Sequence, residues 1–162
     1  MNFKMISYIL GWILIFESLF MIVPSVTAVC YGESALWYFL ITAAVCLAIG
    51  GLLIRKKPER KQLFSREGNV IVALSWVLLS IFGAIPFYIS GEIPSYLDAL
   101  FETVSGFTTT GASILSEVES MPKSMLMWRS FTHWVGGMGV LVFIMAFLPL
   151  AGAQNMHIML SL

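Results

Sequence analysis

The sequence predicts an all-α membrane protein: two leading transmembrane helices, then one repeat of outer helix, re-entrant pore helix with filter loop, and inner helix. Three observations carry that prediction. Hydrophobic residues are 59% of the 162 and charged residues only 11%, with a mean hydropathy of +0.90, so the chain has too few polar groups to cover a soluble globule. Four apolar segments, over 6–29, 35–54, 70–89 and 125–148, each approach or exceed the about 20 residues a helix needs to cross about 30 Å of hydrocarbon. Between the last two lies Ser105-Gly-Phe-Thr-Thr-Thr-Gly-Ala-Ser113, a hydroxyl and glycine run. Non-helical backbone at membrane depth is tolerated only where protein or water satisfies its polar groups, so this run implies a re-entrant loop lining an ion path.

The first segment follows Lys4 and is too long for a signal-peptide core, and no A-x-A cleavage pattern follows it, so it reads as a retained span. A short Cys30-Tyr-Gly-Glu-Ser34 turn leads into the second. Between the second and third spans, Arg55, Lys56, Lys57, Arg60, Lys61 and Arg66 form a basic loop. The positive-inside rule places that loop and the N-terminus in the cytoplasm, and basic side chains there also attract lipid headgroups. Only Lys123 and Arg129 then remain toward the outside, where Glu33, Glu92, Asp98, Glu102, Glu117 and Glu119 collect. An acidic outer mouth would concentrate cations, and solvated loop charge without a role is the equal alternative. Cys30 and Cys46 fall at different depths, which supports neither a disulfide nor a metal site.

The third span ends in Pro86-Phe-Tyr-Ile-Ser-Gly-Glu-Ile-Pro94, where two prolines and a glycine mark a turn. Ser95 is the expected N-cap of a short helix over 96–107, with Asp98 at its third following position. The C-terminal end of that helix carries partial negative charge, favourable to a cation just beyond it. A cation shedding water needs several oxygen ligands, and backbone carbonyls with threonine hydroxyls supply them without a fixed charge that would trap it. Thr108, Thr109, Thr110, Gly111 and Ala112 are therefore the expected filter, with the ion at Thr109, Thr110 and Gly111. Gly111 is free to adopt positive φ. The competing reading is a small-residue helix-packing face through Gly106 and Gly111, which three consecutive β-branched threonines disfavour.

Phe101-Glu-Thr-Val-Ser-Gly-Phe-Thr-Thr-Thr-Gly-Ala-Ser113, Trp128-Arg-Ser-Phe-Thr-His-Trp-Val-Gly-Gly-Met-Gly139 and Phe147-Leu-Pro-Leu150 together resemble the first pore repeat of the Trk/Ktr/HKT potassium transporters. The two extra leading spans resemble the bacterial TrkH/TrkG type. The resemblance implies four such repeats around one pore, K⁺ as the transported ion, a homodimer of the full-length protein, a cytosolic TrkA-type nucleotide-binding regulatory subunit, and the bacterial cytoplasmic (inner) membrane. It implies no cofactor. Mapped onto this chain, residues 1–68 are the leading helices with the basic loop, and 69–162 the first pore repeat, with outer helix 70–89, pore helix 96–107, filter 108–112 and inner helix 125–148. One repeat supplies one quarter of a filter, so the chain is expected to be a fragment; assembly of four copies is the alternative. Passive or gated flux and symport with a second ion both stay open, as does K⁺ against Na⁺.

Further residues carry paired readings. Glu102 and Arg129 either form a pair that braces the filter or snorkel separately to the interface. Glu17, mid-span, is expected to be protonated or bonded to a neighbouring helix, with a part in ion passage as the sharper option. Gly136, Gly137 and Gly139 suit close packing or a hinge. His133 reads as a hydrogen-bonded structural group. The competing functions are a non-conducting assembly subunit and an intramembrane hydrolase with Ser105 or Ser113 as nucleophile and His133 as base. No G-x-S-x-G elbow accompanies them, so the chain is read as a non-enzyme. No nucleotide-binding glycine motif or basic nucleic-acid stripe is present either.

Overall fold

Helices account for all the regular structure, with no strand among the described residues, in a computed structural model that describes residues 3–55, 65–139 and 141. In chain order they are α1 (Phe3–Phe20), α2 (Ile22–Tyr31), α3 (Leu36–Ile54), α4 (Ser65–Gly83), α5 (Ile85–Ile89), α6 (Tyr96–Phe107) and α7 (123–139). Lys56, Lys57, Arg60, Lys61, the Arg66 side chain, residue 140 and the inner-helix positions 142–148 lie outside the described residues. Among the described residues, three stretches are long and apolar enough to cross a membrane: Phe3–Tyr31, Leu36–Ile54 and Glu67–Ile89.

Proline explains why two of the three stretches are broken helices. Pro24 has no N–H for the Phe20 carbonyl, and its ring crowds that oxygen, so the helix is interrupted at Met21 between α1 and α2. Pro86 acts in the same way on Phe82, at the junction of α4 and α5. α2 ends where Gly32 takes a left-handed φ of 66° and the Gly32 and Glu33 N–H groups return to Val29 and Ala28 carbonyls, the glycine-terminated cap that closes many helices.

α1 and α3 approach until their backbones touch. A Cβ on Gly11 would lie 2.9 Å from the Gly50 carbonyl oxygen, and one on Gly50 would lie 2.7 Å from the Gly11 oxygen; small residues permit this in membranes, where close van der Waals packing replaces the hydrophobic drive. A second contact region joins this pair to the rest. Met21, Phe39 on α3, Phe87 on α5, Ala99 on α6 and Met125 with Trp128 on α7 form one buried cluster, in which the Trp128 ring meets Phe39 edge-on at 6.4 Å. Trp128 Nε1 also donates to the Gly83 carbonyl at 2.9 Å, so the indole is satisfied at both its apolar body and its polar tip.

Candidate ion-binding loop

α6 starts at Ser95, whose Oγ accepts the Asp98 N–H at 3.5 Å. Its other end closes on three threonines. The N–H of Thr109 reaches the Gly106 carbonyl and that of Thr110 reaches Ser105, each at 2.9 Å, the paired bonds of a Schellman cap. The residue that makes the left-handed turn is Thr109, with φ of 56°. A β-branched side chain is a true outlier there, since its Cβ crowds the neighbouring carbonyl, and such strain persists only where the surroundings over-determine it. Gly111 then takes φ of 76° with open space around its missing Cβ, and the chain continues without helix through residue 122.

The hydroxyls shape this turn. Thr108 Oγ1 donates to the Val104 carbonyl at 2.7 Å and, its proton so used, accepts from Thr110 Oγ1, also at 2.7 Å. Thr109 Oγ1 donates to the Thr108 carbonyl at 2.7 Å. Ser105 Oγ, itself buried, donates to the Ala112 carbonyl at 2.6 Å, pulling the returning segment against α6. Among the described residues, the carbonyls of Thr109, Thr110 and Gly111 accept no hydrogen bond. These exposed residues present three successive oxygens free to coordinate.

Glu102 holds the far side of the loop. Its carboxylate is 1% exposed and receives Ser113 Oγ at 3.0 and 3.1 Å, the Ile114 N–H at 3.2 Å and Arg129 Nε at 2.5 Å. One buried carboxylate thus ties α6, the segment leaving the loop, and α7. Charge-assisted bonds of this kind are stronger than neutral ones, and the full set of donors offsets the desolvation that burial imposes.

α7 lies against the end of α6 through glycine. A Cβ on Gly136 would fall 2.3 Å from the Phe107 carbonyl oxygen, and one on Gly106 would fall 2.3 Å from Thr132 Oγ1. A Cβ on Gly139 would fall 2.8 Å from the Trp76 ring, whereas among the described residues a Cβ on Gly137 would meet only Thr109 Cγ2, at 4.0 Å.

The family model for TrkH, a cation transport protein, matches residues 36–162. The chain belongs to the TrkH family. It is 41% identical over 161 residues to the Trk system potassium uptake protein TrkH of Escherichia coli K12, covering 98% of this chain and 33% of that protein. Against the Trk system potassium uptake protein TrkG of the same organism it is 38% identical over 151 residues, covering 92% and 31%. The crystal structure of the potassium transporter TrkH from Vibrio parahaemolyticus superposes with a TM-score of 0.85 at 37% identity, over 92% of this chain and 32% of that one. The chain thus spans about a third of the length of the curated relatives it matches. Family and helices together make it a membrane protein.

Of the residues singled out in the sequence, Thr108 to Ala112 form the loop, and Glu102 and Arg129 meet behind it as a pair. Gly136 and Gly139 sit at close contacts of α7 and Gly137 does not. Glu17 is buried with neither carboxylate oxygen hydrogen-bonded among the described residues, so of the two expectations, protonation or a bond to a neighbouring helix, the bond is not found among them; a Cβ on Gly83 would come within 3.3 Å of its Oε1. His133 Nδ1 is 3.0 Å from the Arg129 carbonyl, and Ser105 and Ser113 are engaged with Ala112 and Glu102. Sequence reasoning missed the strain at Thr109, the bracing by Ser113, and the Gly106–Gly136 crossing. A positive φ at a threonine has no local signal, but Gly106 and Gly136 were visible as small residues.

Proposed function

We propose that this chain forms one pore repeat of a K⁺ transporter and that the carbonyls of Thr109, Thr110 and Gly111 replace part of the ion's hydration shell. The observation that carries the reading is the set of three consecutive unbonded carbonyls at the C-terminal end of α6, in a loop pinned by Glu102 and Ser105. The α6 dipole adds negative potential at that end. The threonine hydroxyls give their protons to the protein and keep lone pairs toward the ion. The choice of K⁺ follows the names of the Escherichia coli TrkH and TrkG relatives and of the Vibrio parahaemolyticus structure.

The further parts of the reading extend from the same resemblance. The repeat joins three others around one pore, in a homodimer in the bacterial inner membrane with the N-terminus in the cytoplasm. A TrkA-type subunit regulates it from the cytosolic side, and the chain performs no covalent chemistry.

Gly111→Asp tests the assignment. A side chain at φ of 76° strains the loop, and its carboxylate would sit among the coordinating oxygens. Rubidium uptake into K⁺-depleted cells should fall at least about tenfold while the amount of protein in the membrane is unchanged. Uptake equal to wild type rejects the filter assignment.

A further inference from the structure

α7 begins without a local cap. Its N-cap position is Pro122, whose carbonyl accepts the Met125 and Leu126 N–H groups at 3.0 Å but whose ring offers no acceptor for the first free N–H groups of the helix. Those groups are ordinarily satisfied by a nearby Ser, Thr, Asp or Asn. Here the acceptor comes from the turn between α2 and α3, 90 residues earlier in the chain. Glu33 Oε1 accepts the Lys123 N–H at 2.7 Å, and Oε2 accepts the Ser124 N–H at 3.0 Å and Ser124 Oγ at 2.5 Å.

We infer that Glu33 is a positioning residue: by clasping the first turn of α7 to the α2–α3 turn, it fixes the height at which α7 presents Arg129 to Glu102, and through Glu102 the placement of Ser113 and Ile114 at the loop's exit. Arg129 lies six positions beyond Lys123 on the same helix, about 9 Å along its axis, so a shift of the first turn is carried rigidly to the pair. Gly136 meets the Phe107 carbonyl further along that helix, which makes its height matter at the α6 end as well. The leading helices thereby act on the loop from a distance. The geometry of the clasp is independent of what the loop binds; its effect on ion discrimination rests on the K⁺ reading.

The electrostatics agree with a maintained clasp. Burial pushes the Glu33 carboxyl upward, but the hydrogen bonds from Ser124 and Lys123 and the Lys123 charge outweigh it and hold the group below its ordinary value. The carboxylate is the form that accepts all three bonds.

The test separates a clasp from a mere cap. In the protein in its membrane, Glu33→Gln should raise hydrogen exchange about threefold or more both at residues 123–126 and at the Ile114 amide, and lower the ratio of K⁺ to Na⁺ uptake by a similar factor. Adding Pro122→Asp supplies a local cap without the tether; it should restore residues 123–126 and leave Ile114 and the uptake ratio altered. Glu33→Asp, which keeps the charge, serves as the folded comparison and should recover part of both. Loosening confined to 123–126, or recovery of Ile114 by the local cap, overturns the inference, as does an unchanged uptake ratio with a loosened Ile114. A wild-type protein that carries no K⁺ would instead sink the functional reading while the exchange result still judges the clasp.

Discussion

The α1–α3 crossing and the α6–α7 crossing are both glycine contacts, yet the material around them differs. At Gly11 and Gly50 two apolar helices meet, each glycine against the other's carbonyl oxygen, and the side chains around them are aliphatic, Leu14, Ile15, Leu53 and Ile54. At Gly106 and Gly136 the neighbours are Thr132, His133 and the backbone carbonyls of Gly106 and Phe107. Close by, Glu102 and Arg129 form a pair and Thr109 is strained. The first crossing fixes helices by shape alone. The second fixes a loop in which the carbonyls of Thr109, Thr110 and Gly111 have no partner among the described residues, and polar bonds are concentrated behind it. Hydrogen bonds directed at a loop specify its position in a way that apolar contact does not, because each has a narrow range of distance and angle.

The sharpest way to break the contrast is to remove the carboxylate. Glu102→Ala leaves Arg129, Ser113 Oγ and the Ile114 N–H without their acceptor. It should destabilise the protein by about 3 kcal/mol, the lower end for breaking a buried pair because Arg129 is partly exposed, and abolish uptake. Thermal unfolding in detergent measures the first and rubidium uptake the second.

Next in size are the glycines, where neighbouring positions predict opposite results. Gly136→Ala would press a Cβ on the Phe107 carbonyl and Gly11→Ala would press one on the Gly50 carbonyl, so each should cost about 1–3 kcal/mol. Gly51→Ala meets nothing within 4 Å and should stabilise α3 by about 1 kcal/mol. Only Gly136→Ala should also impair uptake at matched protein levels, because only that crossing backs the loop.

Smaller effects follow at Glu33 and Thr109. A depressed carboxyl contributes stability that is present above its unfolded value, ordinarily 4.5, and is lost as pH falls through the lower folded value. The wild-type advantage over Glu33→Gln in unfolding temperature should therefore be full at neutral pH and shrink as pH falls below that ordinary value. Thr109→Gly removes a left-handed penalty of about 1–2 kcal/mol and adds about 0.5–1 kcal/mol of chain entropy. Stability should rise slightly while ion discrimination declines, the signature of strain held for function.

Much of the helical layout was legible in the chain because apolar length and proline placement are local signals. The helix expected over 96–107 is α6, and Ser95 caps it. The first apolar segment read as one span, and Pro24 divides it, since a proline within a hydrophobic run does not lower its hydropathy. The Glu102–Arg129 meeting was one of two readings the sequence left open, beside separate snorkelling, because buried charges in membranes usually find partners. The Glu33 clasp was not, because a contact spanning 90 residues leaves no periodic trace. Thr109 escaped for the reason that its backbone angle is imposed by Ser105, Gly106 and Ala112 together rather than by its own preference.

Anomalous diffraction from crystals of the protein grown in rubidium reads the ion's position at the loop directly. Density is expected within coordination distance of the Thr109, Thr110 and Gly111 carbonyls. Ordered rubidium elsewhere in the protein, with those three oxygens turned away from it or hydrogen-bonded to protein, would contradict it.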